Sequence, residues 1–317
     1  MYSYSKIFLD KIAIETGFIR DNLEKVFRLY DILQFLNSNT ITNDYLSLKG
    51  GTAINLTIFK MPRLSVDVDL DFSKECSREE MTTHRGKINE EVLNFMFANG
   101  YALSPNTKSP HSLDSWVFFF QNAGGNKDNL KIEINYSMRN HVLPMIKKKV
   151  DIDFLQVANE LTTLSTLELF GSKIKALIER AAARDLYDVH KMILFNIIKP
   201  MQKDLLRKIV IFYLAVGSSK EVTIPVNLEG INTLNYNKIR AGLIPVLKKS
   251  DHFDFEKAKI VVKEYLSSLM VLTEREKQFI KSFYKGIYQP ELLFDDEVII
   301  NRIKEHPMAI WKTMNNN

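Results

Sequence analysis

Three aspartates stand at every second position in "SVDVDLDFS": Asp67, Asp69 and Asp71. Val66, Val68, Leu70 and Phe72 fill the places between and next to them. Strict alternation marks a half-buried strand with one apolar face and one face carrying Ser65 and the three carboxylates. Alternate side chains on a strand lie about 6.5–7 Å apart. Like charges at that spacing repel unless a cation joins them. Hard oxygen ligands suit Mg²⁺, which takes one or two protein carboxylates and keeps places for water and substrate phosphates. Two such ions can clamp the attacking and leaving oxygens of an in-line phosphoryl displacement. A D-x-D pair is also common on solvent-facing strands, so its meaning depends on its surroundings.

Those surroundings begin with Gly50-Gly51-Thr52, one short helix upstream. Two glycines let backbone N–H groups approach an anion closely, and the start of the following helix favours negative charge. Thr52 offers a hydroxyl to a phosphate or, in the plainer reading, an N-cap to the helix. Arg63 and Ser65 precede the aspartates. Ser65 shares their face and can touch a phosphate or hold Asp67, whereas Arg63 is a phosphate ligand or a clamp on the loop. Asp71 reads as a supporting or solvated group. Glu133 in "KIEINY" is a candidate third carboxylate and general base, and equally a surface strand residue.

The elements that must position these groups follow from periodicity. Residues 19–38 form an amphipathic helix ended by Asn37, Ser38 and Asn39. "TAINLTIF" forms a short helix after the glycines. Arg78 to Gly100 is a helix closed by glycine. Strands are expected at 101–104, 115–122 and 129–137, with Gly124-Gly125 in the loop joining the last two. Helix, strand, helix and then several strands make an α+β unit, a mixed sheet with packed helices. Beyond about residue 160 the pattern becomes mainly helical, starting with Ser165 and Glu168 as a capping box. The expected domains are 1–160 and 161–317. The apolar run "IVIFYLAVG" falls well short of the roughly 20 residues of a membrane span and reads as a buried element.

A second group of charged residues sits on the first helix of that half. Lys173 and Arg180 are seven apart and share a face. Arg180 and Arg184 are four apart and would stack along one continuous helix, with Asp185 and Asp188 as neighbours. Cations there can neutralise charge developing on a leaving pyrophosphate. The competing reading is a salt-bridge network among Arg180, Arg184, Asp185 and Asp188, with Lys173 the residue favoured for function.

Together these stretches resemble a known family. "KGGTA" followed by "RLSVDVDLDF" resembles the signature of polymerase-β-type nucleotidyltransferases, and more narrowly that of the AbiEii/AbiGii toxin family. "KIKALIERAAARDLYDVH" is similar to that family's helical motif, through Lys173, Ala176-Leu177, Arg180 and Arg184 to Asp188. The two blocks span a little under half the chain. The resemblance implies a polymerase-β-like nucleotidyltransferase domain followed by a mainly α-helical domain. It implies Asp67 and Asp69 as metal ligands and catalytic groups, with Lys173 and Asp185 also catalytic. Gly50, Gly51, Thr52, Arg63, Ser65, Arg180 and Asp188 would bind substrate. Mg²⁺, with Mn²⁺ as the alternative, would be the cofactor and an NTP the donor. The acceptor would be a hydroxyl such as the 3′ end of a tRNA, and a cognate antitoxin would be a partner. Transfer to a protein hydroxyl and a non-catalytic nucleotide-sensing role are the alternatives.

Composition is that of a soluble globular protein. Of 317 residues, 45% are hydrophobic and 26% charged, and one cysteine excludes an internal disulfide. With no apolar leader at the start, the expectation is a cytoplasmic protein without a membrane segment. Net charge is +5 overall. Residues 1–160 carry −1 and residues 161–317 carry +6. That excess is either ordinary solvated helix faces or a surface that gathers a polyanion. The six histidines form no zinc-type spacing.

Overall fold

The computed structural model describes residues 4–155 and 160–315. The chain divides into two units that are not continuous in sequence. The first comprises Met1–Arg139, Met145–Leu164 and Pro245–His252, and the second comprises Asn140–Pro144, Ser165–Ile244 and Phe253–Asn317.

The first unit opens with helices α1 (Lys6–Thr16), α2 (Arg20–Ser38) and α3 (Thr40–Tyr45). Asn39 ends α2 and starts α3, its side chain accepting from the N–H groups of Ile41 and Thr42. Then follow β1 (Leu46–Leu48), α4 (Gly50–Thr57), β2 (Asp67–Phe72) and α5 (Arg78–Ala98). A capping box of Ser77 and Glu80 starts α5, and Gly100 at φ 79° closes it. Strands β3 (Ala102–Leu103), β4 (Leu113–Gln121), β5 (Lys127–Asn135), β6 (Ile146–Lys149) and β7 (Glu160–Thr163) complete the unit.

The seven strands form one mixed sheet in the order β3-β4-β5-β2-β1-β7-β6. β2 lies at its centre, antiparallel to β1 and parallel to β5. Val68, Leu70 and Phe72 are buried on the face that packs on helices. Phe72 meets Tyr45, His84 of α5 and Tyr136, while Phe35 of α2 stacks on Phe95 of α5 at 4.0 Å. Each such side chain contributes about 1.5–3 kcal/mol by leaving water, which fixes the face on which the aspartates must lie. The β4–β5 hairpin turns on Asn122, whose Oδ1 accepts from the N–H groups of Gly124 and Asn126. Glu24 of α2 holds the loop through the N–H of Ala123.

The second unit is helical: α6 (Thr166–Arg180), α7 (Ala183–Leu194), α8 (Lys203–Gly217), α9 (Tyr236–Gly242), α10 (Phe255–Leu269), α11 (Glu274–Tyr284), α12 (Glu297–Ile303) and α13 (Pro307–Asn315). "IVIFYLAVG" is the core of α8, buried from Ile209 to Val216. It runs so close to α6 that a Cβ at Gly171 would collide with Ile209. No helix among the described residues is long and apolar enough to cross a membrane.

Two local expectations are corrected. Ser165 caps α6 by accepting from the N–H of Glu168, but Glu168 does not return the bond as a capping box requires. Its buried carboxylate instead accepts from the N–H groups of Val142 and Leu143 and from the Tyr213 hydroxyl. The helix carrying the second charged group is also not continuous. It ends at Arg180, with Ala181 in the left-handed region at φ 46°, and α7 starts at Ala183. Arg180 and Arg184 therefore do not stack, and Arg184 donates to the Gly242 carbonyl.

Candidate active site

β2 presents Asp67 and Asp69, both half-buried, on the face opposite its apolar side chains. Register places Lys131 of β5 beside Asp67, Glu133 beside Asp69 and Asn135 beside Asp71. Adjacent strands lie about 4.8 Å apart, so Glu133 and Asp69 are direct neighbours on one face. Lys131 Nζ bonds Glu133 at 2.9 Å. Sequence reasoning named Glu133 but not Lys131. The alternation of "NLKIEINYS" carries both, once β5 is known to lie beside β2.

The Gly50-Gly51 turn is built against Asp69, Arg63 and Ser65. Gly50 has φ 68°, and a Cβ there would collide with the Asp69 carboxylate. Its glycine is thus required twice, by backbone conformation and by the closeness of Asp69. A Cβ on Gly51 would lie 2.7 Å from Arg63 Nη2 and 3.1 Å from Ser65 Oγ. Lys49, the residue before α4, gives the helix no side-chain cap. Its N–H donates to the Asp69 carbonyl at 2.9 Å, which ties the turn to β2.

Thr52 and Arg63 are held inside the protein. Thr52 is fully buried, and its hydroxyl donates to the Asp67 carbonyl and lies 3.0 Å from Ser65 Oγ. It fastens α4 to the start of β2. Arg63 is 1% exposed and donates to the Leu64 carbonyl. Its backbone bridges Leu247, and the N–H of Leu64 donates to the Val246 carbonyl. A segment far downstream, Pro245–His252, therefore props the loop that delivers the aspartates. Ser65 is buried beneath Gly51.

Asp71 is not a solvated group. Its side chain is buried and ion-paired with Lys49 Nζ. Burial pushes its carboxyl up, against the opposing pull of Lys49. No cluster of three or more His, Cys, Asp or Glu side chains arranged to hold a metal occurs among the described residues. Asp67 and Asp69 form a two-carboxylate oxygen set, which fits Mg²⁺ because that ion keeps most of its places for water and phosphate.

In the second unit, α6 and α7 meet through a charge network. Lys173, 7% exposed, bonds Asp185 at 2.9 Å and Asp188 at 3.2 Å. Arg180 Nε bonds Asp185 at 2.7 Å, and Nη2 donates to the same carboxylate at 3.1 Å. Both aspartates are fully buried, while the Arg180 side chain is 64% exposed. Burial pushes the Asp185 carboxyl up, but the Lys173 charge and Arg180 outweigh it and hold it below the ordinary carboxylate range. Lys173 is thus part of the network, at its buried end, and Arg184 donates to the Gly242 carbonyl.

No curated protein matches the chain. The solved structure of MenT4, a nucleotidyltransferase toxin from Mycobacterium tuberculosis H37Rv, is similar at a TM-score of 0.64, covering 96% of this chain and 99% of that one at 15% identity. That likeness shows a shared fold. The family model for the nucleotidyl transferase AbiEii toxin of type IV toxin–antitoxin systems matches residues 32–264, a range that takes in both charged groups. With the glycine turn set against an aspartate pair on the central strand, the chain belongs to the AbiEii family of nucleotidyltransferase toxins of type IV toxin–antitoxin systems.

Proposed function

We propose that this protein transfers a nucleoside monophosphate from an NTP to an acceptor hydroxyl in a Mg²⁺-dependent reaction, with the 3′ end of a tRNA as the acceptor. The observation that carries the reading is the placement of Asp67 and Asp69 on the polar face of β2, with Asp69 directly against Gly50 of the glycine turn. Asp67 and Asp69 would hold Mg²⁺, which supplies charge neutralisation at the phosphates when bound. Gly50 and Gly51 bring backbone N–H groups to the phosphate side of that face. Thr52 and Arg63 act as positioning residues, because both side chains are buried in internal bonds. Ser65 supports Gly51 from below. Glu133, next to Asp69 in register, would accept the proton of the attacking hydroxyl.

The helical motif divides its labour. Lys173 positions Asp185 and Asp188 by closing them into a buried network. Arg180, with its exposed guanidinium, is the member able to meet a phosphate. The basic excess of residues 161–317 supports an RNA acceptor. Family membership implies a cognate antitoxin, and both proteins would work in the cytoplasm.

Incubating the protein with each labelled NTP, Mg²⁺ and either total tRNA or total protein tests the reading. Label on tRNA is expected. Label on protein would replace the acceptor, and no transfer to either would overturn the proposed reaction.

A further inference from the structure

We infer that Lys49 is a further phosphate-binding residue of this site, held in place by Asp71. The inference rests on the proposed role of the Asp67 and Asp69 face. Lys49 stands between β1 and α4, directly before the glycine turn. Its backbone is fixed to the Asp69 carbonyl, and its side chain turns to the carboxylate face and pairs with Asp71 Oδ1. Asp71 follows Asp69 on that face by one strand repeat, about 6.5–7 Å. The ammonium is therefore set on the same face as the aspartate pair.

The two ends of this pair differ in a telling way. The Asp71 side chain is 4% exposed and the Lys49 side chain 25%. An ammonium has three donors, and one is directed at Asp71. Asp71 itself is walled in. Ser47 faces it across β1 and Asn135 across β5, while Asn135 Oδ1 accepts from the N–H groups of Ser137 and Met138. A buried carboxylate on a central strand is costly unless its charge is matched. Asp71 is matched by a cation that keeps two further donors and a quarter of its side-chain surface exposed. That arrangement fixes a long, flexible lysine in one orientation before a polyphosphate arrives, so less side-chain freedom is lost on binding. The third aspartate of the strand thereby gains a task distinct from the first two: it orients a cation.

Titration calorimetry with the four common nucleoside triphosphates and Mg²⁺, without acceptor, tests the inference. Lys49→Met should weaken binding about tenfold to a hundredfold, the size of one charge-assisted hydrogen bond. Lys49→Arg should retain most of it. Because Lys49→Met orphans the Asp71 carboxylate, Lys49→Met/Asp71→Asn is the decisive variant: it removes both charges and relieves the fold. If Lys49 touches phosphate, the double variant melts like the wild type yet still binds weakly. Wild-type affinity in the double variant or in Lys49→Met would overturn the inference and leave the role of Asp67 intact. Equal binding by wild type and Asp67→Ala, or none by wild type, would overturn the underlying reading and this inference with it.

Discussion

Asp67 and Asp69 in the first unit, and Asp185 and Asp188 in the second, are each a pair of carboxylates from one element. Their surroundings make them opposites. The strand pair is half-buried and stands beside further carboxylates, Asp71 on β2 and Glu133 on β5. The helix pair is fully buried and closed by Lys173 and Arg180 from α6. A buried pair must carry its countercharge within the fold, because an uncompensated buried charge costs several kcal/mol. A pair that reaches solvent can share a diffusible cation. The same residue type thus serves as a strut in one unit and as a candidate ion seat in the other.

The comparison can be broken at its structural end first. Lys173→Met leaves two buried carboxylates without their central cation and should destabilise the second unit by about 3–5 kcal/mol, read by urea unfolding. Asp185 has a depressed folded value, so its stabilising contribution is present at neutral pH and is lost as pH falls through that value. Unchanged stability in Lys173→Met would show that the network is not a strut. At the other end, Asp67→Ala should lower transfer about 10²–10³-fold, typical of losing one preorganised electrostatic group. Its melting temperature should stay near that of the wild type, because the side chain is only half-buried. A large loss of stability with residual activity would reverse the contrast.

The smallest expected effect concerns a third kind of carboxylate, one held mainly by a neutral donor. Asp31 on α2 accepts from the Tyr4 hydroxyl at 2.6 Å, and burial raises its pKa to about 6 against the opposing effects of Tyr4 and Arg28. Its folded value lies above its unfolded one. The stability it contributes is therefore present at low pH and is lost as pH rises through about 6. Asp31→Asn keeps an acceptor for Tyr4 and should gain about 1–2 kcal/mol over wild type at pH 7, with no gain at pH 4. Melting curves across that range check it, and a gain independent of pH would count against the assignment.

Much of the site was legible because strand periodicity is local. "SVDVDLDFS" specifies which side chains share a face, and β2 forms with Val68, Leu70 and Phe72 inside. The glycine turn, the helix after it and the β4–β5 hairpin were equally local. What failed did so where a short-range rule met a distant partner. Ser165 and Glu168 have capping-box spacing, yet Val142, Leu143 and Tyr213 take the glutamate. Arg180 and Arg184 have stacking spacing, yet the break at Ala181 separates them. Asp71, read as either supporting or solvated, was left open by strand alternation, and the structure buries it and pairs it with Lys49.

By itself, then, the sequence determined the helices and strands that flank the acidic strand, the polar face of β2 and the family, because backbone periodicity and motif spacing are properties of neighbouring residues. Tertiary structure alone decided that β5 lies beside β2 and brings Glu133 to Asp69. It also decided that residues after 244 return to prop Arg63 and Leu64. Likewise, only packing turned Lys173 inward and left Arg180 accessible. Those outcomes depend on which surfaces bury one another and where a charge can find its partner, and a linear pattern does not encode either.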